Sequence, residues 1–155
     1  RMDPGQEPWT LETKAVTVVA HAQQGRLDLV VELSDELPHR LERMLTHPVA
    51  NPPPYLMELT ISGGLLLALA VVDLDRGART GDERATRSGV RMIALAERFR
   101  FPRNFQPTMS TARVRQAATQ ADRPAYDEAV SSYAGLGQED LRAAALAALR
   151  ERGQG

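Results

Sequence analysis

Between Leu59 and Val72 the chain runs for fourteen residues without a charge, bounded by Glu58 and Asp73. A stretch of that kind has to be hidden from water. It is short for a bilayer, which takes about 20 apolar residues in helical form, and Ser62-Gly63-Gly64 interrupts it. It is therefore read as a core element rather than a membrane span. Two shapes are open to it. Two glycines between apolar runs are a hairpin signal, so two strands turning at Gly63-Gly64, and with them an α+β fold, is one. The run Leu65-Leu66-Leu67-Ala68-Leu69-Ala70 consists of strong helix formers and favours the other, a single helix over Tyr55–Leu74 whose glycines let a neighbour approach closely.

The segments around it read as helices. Thr10 to Gln24 is predicted helical with Gly25 as its stop, although Val16-Thr17-Val18-Val19 is β-branched and competes as a strand. In Arg26–His47, Leu27, Val30, Leu37, Leu41 and Met44 recur at spacings of three, four or seven, one helical face. Pro38 lacks the N–H that a helix interior needs, and Ser34-Asp35-Glu36 resembles a fresh helix start. Two pieces meeting near Ser34 are expected. His47 to Pro54 is a stiff connector, because consecutive prolines favour extended geometry. Asp75 to Gly81 reads as a polar turn, and Asp82–Arg100 as a helix. Pro102 and Pro107 bracket an irregular segment. Ser110–Ala121 is a helix, and Pro124 opens another that ends at Ala134. The alanine-rich stretch Gln138–Arg152 is the last.

Helix pairs joined by short turns make antiparallel hairpins. The expected fold is thus all-α, a compact bundle of six or seven helices around the apolar one. The expected layout is a leader over residues 1–8 and a single domain over 9–153, since 155 residues suffice for one core. The opening Arg1-Met2 reads as a trimmed end or a cloning remnant, with no secretion signal following it.

Composition excludes some chemistry. There is no cysteine, so disulfides, thiolate metal sites and a cysteine nucleophile are out. A reduced cytoplasm is the simplest compartment, and eighteen arginines to one lysine suggest a GC-rich bacterial genome. Net charge is −1, but it is segregated: residues 76–115 hold ten arginines against Asp82, Glu83 and Glu97, while both flanks are acidic.

Inside the basic stretch lie the candidate site residues. Arg84, Arg87 and Arg91, three and four apart, line one helical face. Arg98-Phe99-Arg100-Phe101-Pro102-Arg103-Asn104-Phe105 gathers all three phenylalanines among arginines. Such a cluster either fills a corner of the core or forms a contact surface by stacking and cation–π attraction.

Other patterns are weaker. Glu36-x-x-His39 has the spacing of one half of a carboxylate di-iron site but has no second copy. His21, His39 and His47 do not align for a metal. Asp73-Leu74-Asp75 could serve as acid and base or hold Mg²⁺, although a turn is the simpler account. No phosphate loop and no nucleophile elbow occur. No catalytic set, metal or cofactor is expected. The expected function is a non-catalytic interaction module that docks a partner protein, or its own copy, through apolar helix faces and Arg84, Arg87, Arg91, Arg98, Phe99, Arg100, Phe101, Arg103 and Phe105. A nucleic-acid-binding regulator, with Ser110–Ala134 as a helix-turn-helix-like pair, is the alternative. A ligand carrier or enzyme with a pocket near Asp73 is a third.

Overall fold

The computed structural model describes residues 8–46, 54–99 and 111–153. Of the leader expected over 1–8 and the proline connector expected over 47–54, residues 1–7 and 47–53 lie outside the described residues, as does the segment holding Arg100, Phe101, Arg103 and Phe105; Pro8 and Pro54 each open a helix instead. Six α-helices make up the described residues: α1 (Pro8–Gln23), α2 (Val31–Thr46), α3 (Pro54–Thr80), α4 (Glu83–Arg98), α5 (Thr111–Ala134) and α6 (Gln138–Gly153), with a 3-10 turn at Leu27–Val30 before α2. No strand occurs among these residues, so the hairpin at Gly63-Gly64 is ruled out and the fold is all-α.

The end of α1 follows from its sequence. Gly25 has φ 70°, a left-handed conformation that costs glycine nothing. It lets the Arg26 N–H bond back to the His21 carbonyl at 2.8 Å and the Gly25 N–H to that of Ala22 at 3.0 Å, which closes the helix end. The valine run is helical here, with Val18 and Val19 fully buried: packing overrides their strand preference.

Pro38 does not act as expected. It sits inside α2, and the junction of the two pieces lies at Val30–Val31 instead of Ser34. Proline removes one hydrogen bond, but Leu37, Leu41 and Leu45, four apart, are buried along one side and hold the helix together. Ser34 is no cap; its Oγ donates to the Val31 carbonyl at 2.9 Å.

Helix α3 is the apolar element, and Ser62 to Ala70 is buried without exception. It runs six residues further than Leu74, to Thr80, so the predicted turn at Asp75–Gly81 shrinks to Gly81-Asp82. An ion pair from Asp75 to Arg79, one helical turn on, supports the extension. Gly81, at φ 72°, reverses the chain. Asp82 then caps α4 by accepting the backbone N–H groups of Arg84 at 3.0 Å and Ala85 at 3.2 Å.

The α3–α4 hairpin is the centre of the molecule. Helices α1 and α2 pack on α3, α5 packs on α4, and α6 bridges α4 and α2. Glycines on both arms allow the close approach. A methyl group on Gly89 would come within 2.8 Å of the Ala70 carbonyl oxygen and of Leu74 Cγ. One on Gly77 would come within 3.0 Å of the Thr86 nitrogen. Gly77, read in the sequence as a turn residue, is thus a packing residue. In α4 every residue from Met92 to Ala96 is buried, so this half of the helix is core on all sides.

The break predicted within residues 110–134 is present. Asp122 is extended (φ −164°, ψ 91°), and its Oδ1 accepts the Ala125 N–H at 3.1 Å, with Pro124 in the first turn of the new helical segment.

Candidate functional site

The outward side of α4 carries Arg84, Arg87, Ser88 and Arg91. The first, second and fourth are the arginines whose spacing placed them on one face. They line a cleft of about 310 Å³ together with Asp73 and Arg76 of α3, the cap residue Asp82, and Ala148, Glu151 and Arg152 of α6. Arg87 and Arg91 also border a second cleft of about 270 Å³, closed on its far side by Ala125, Glu128, Ala129, Ser132 and Tyr133 of α5. Burial pushes the Tyr133 hydroxyl above its ordinary range. The two clefts therefore share a wall of guanidinium groups.

Asp73 forms the floor of the first cleft. It lies in the C-terminal third of α3 with its side chain 2% exposed. A buried carboxylate must be compensated. Here the Ser88 hydroxyl donates to Oδ2 at 2.8 Å, and Arg152 Nε donates to Oδ1 at 2.9 Å and Oδ2 at 3.0 Å. Asp75 points elsewhere, to Arg79 at 2.7 Å. Residues two apart do not share a helical face, so the two aspartates do not converge as an acid–base pair or a Mg²⁺ site. Nor do they form a turn.

The remaining charges of the cleft divide into paired and unpaired. Arg91 meets Glu151, and Arg87 meets Glu83 loosely at 3.7 Å in an exposed pair. The side chains of Arg76 and Arg84 have no ion-pair or hydrogen-bond partner among the described residues. Five arginines face three carboxylates, Asp73, Asp82 and Glu151, a net charge of +2.

Other sequence candidates fall outside this cleft. Arg98 turns away and donates to the Leu136 carbonyl at 2.9 Å, tying the α5–α6 connection to α4. Phe99, 3% exposed, belongs to the core, so its ring is closed to any partner. Its N–H bonds back to Leu95 and Ala96, so it ends α4 facing inward. Glu36, half of the Glu-x-x-His spacing, is held by Arg40 at 2.8 Å and Lys14 at 3.1 Å. These two cations, Arg40 foremost, keep its carboxyl below the usual range. His21 Nδ1 faces the Thr17 carbonyl at 2.8 Å, which makes that nitrogen the donor. No group of three or more metal-ligating side chains occurs among the described residues.

Four polar residues of the cleft had no role in the sequence reading: Arg76, Ser88, Glu151 and Arg152. Arg76 was hidden by the misread turn; the Asp75/Arg79 spacing was the signal that α3 continues. Nothing local marks Arg152, which meets Asp73 across 79 positions of chain.

No family model, curated protein or solved structure matches this chain. No helix among the described residues is long and apolar enough to cross a membrane.

Proposed function

We propose that this protein is a non-catalytic helical interaction module that docks an acidic segment of a partner protein against α4. One observation carries the reading: Arg84, Arg87 and Arg91 of α4, with Arg76 and Arg152, line a single open cleft of net charge +2. Guanidinium groups bind carboxylate and phosphate oxygens in forked geometry and are weakly hydrated, so they suit such contacts. The continuation past Arg87 and Arg91 into the second cleft suits an elongated ligand. Asp82, Glu83 and Glu151 stand among the arginines. They break the arginines into a short patch instead of the continuous basic track that follows a nucleic-acid backbone, which favours a protein segment over the regulator alternative. Ser88 is engaged with Asp73, and Asp73 with Arg152, which leaves neither as a free acid, base or nucleophile for the enzyme alternative.

Fluorescence anisotropy with a labelled glutamate-rich peptide tests this at low salt, about 50 mM. Binding should weaken as salt rises and vanish in an R84E/R87E variant. A labelled oligonucleotide that binds more tightly than the peptide would replace this reading with the nucleic-acid one. A mass doubling in light scattering that R84E/R87E abolishes would make the partner a second copy of this chain.

A further inference from the structure

We infer that the cleft between α3, α4 and α6 is a subsite for a phosphate monoester carried on the segment that docks against α4. The inference rests on the docking reading and adds its chemical selectivity. The first argument is charge. Asp73 is matched by Arg152, and Glu151 by Arg91. Arg76 and Arg84 remain without side-chain partners among the described residues, and both border the cleft. With Asp82 counted as well, the five arginines and three carboxylates of the lining leave a net charge of +2, which answers a dianion. A phosphate monoester carries about −1.5 to −2 near neutral pH and offers three acceptor oxygens. A carboxylate offers one charge and two oxygens.

The second argument is preorganisation. Arg152 is 16% exposed and is held by Nε against both oxygens of Asp73, which Ser88 in turn fixes. Its two terminal nitrogens have no acceptor among the described residues, so they are available to the cleft. A guanidinium already held in place loses little conformational freedom on binding. The third argument is shape. The cleft admits a phosphoryl group, and Arg87 and Arg91, which line the second cleft as well, give the attached chain an arginine-lined path. Arg84 to Arg91 spans about 10 Å along α4, the reach of roughly three extended residues.

The test uses the whole protein and three synthetic peptides of identical acidic sequence that differ at one central position: phosphoserine, glutamate or serine. Titration should give the phosphopeptide an affinity about tenfold or more above the glutamate peptide, since phosphate brings nearly a second negative charge and a third acceptor oxygen to the guanidinium groups. The R76Q/R84Q variant, altered at two exposed positions, should lose that preference yet keep its unfolding midpoint. In the unaltered protein, inorganic phosphate should displace the phosphopeptide better than acetate does at equal ionic strength. Equal affinity for the phosphoserine and glutamate peptides overturns the phosphate subsite and leaves the docking reading standing. A preference that survives R76Q/R84Q, or equal displacement by phosphate and acetate, also overturns it. Failure of all three peptides to bind overturns both.

Discussion

Two triads of the same chemical make-up sit on opposite sides of α4. On one side a carboxylate (Asp73), a hydroxyl (Ser88) and an arginine (Arg152) join α3, α4 and α6. On the other a carboxylate (Glu97), a hydroxyl (Tyr126) and an arginine (Arg115) join α4 and α5, with Tyr126 donating to Glu97 at 2.7 Å and Arg115 at 3.2 Å. They differ in depth. The Asp73 and Arg152 side chains are 2% and 16% exposed, those of Glu97 and Arg115 15% and 58%. In the first triad the carboxylate is sealed from water, and in the second the guanidinium is mostly solvated. The buried triad is therefore a structural pin that also fixes one wall of a cleft. The open one is a surface clasp between neighbouring helices.

The sharpest way to break this contrast is Asp73→Ala. It strands the Arg152 charge in a largely buried place, and removing one member of a buried pair costs about 3–5 kcal/mol. Urea unfolding should show that loss; a cost below about 1 kcal/mol, the range of exposed pairs, would mean depth does not separate the triads. Gly89→Ala comes next. Its methyl group would press on the Ala70 carbonyl and Leu74, prise α4 from α3 and loosen the Ser88–Asp73 bond. Overpacking of this kind costs about 1–3 kcal/mol, read as a lowered thermal midpoint.

On the open side, Tyr126→Phe should cost about 0.5–1.5 kcal/mol, the net worth of one hydrogen bond. It also has a pH signature. Burial first, then the bond to Glu97, pushes the Tyr126 hydroxyl up to about 12 from an ordinary value of 10.0. The folded state thus keeps a proton that the unfolded chain releases. The stability this contributes is present below pH 10 and is lost as pH rises from 10 towards 12. Denaturation midpoints across that window should fall less steeply in Tyr126→Phe than in the parent; equal slopes would dissociate Tyr126 from the alkaline loss. The smallest effect belongs to Arg115→Ala, about 0–1 kcal/mol, because Arg115 is mostly solvated and Glu97 keeps its bond from Tyr126. A loss as large as that of Asp73→Ala would erase the distinction from the opposite end.

These contrasts also mark what could be read in advance. Helix identities were legible because they rest on local patterns: the Gly25 stop, the break before Pro124, the helix start at Asp82 and the three-and-four spacing of Arg84, Arg87 and Arg91. The end of α3 was misplaced because Gly77 has the same signature in a turn as in a tight helix crossing, and only Thr86 on the facing helix tells them apart. Pro38 was overweighted because the burial that holds α2 together around it is not a local property.

By itself the sequence favoured an all-α chain with an apolar central helix, and marked a basic helical face. Those follow from backbone preferences and from spacings within a few residues, where 3.6 residues per turn fixes which side chains are neighbours. Tertiary structure alone decided that Phe99 faces the core, that Arg98 fastens a loop, and that Asp73, Arg76 and Arg152 join the arginines of α4 in one cleft. Burial and long-range pairing depend on how helices cross. A carboxylate and a guanidinium 79 residues apart leave no local pattern to announce that they will meet.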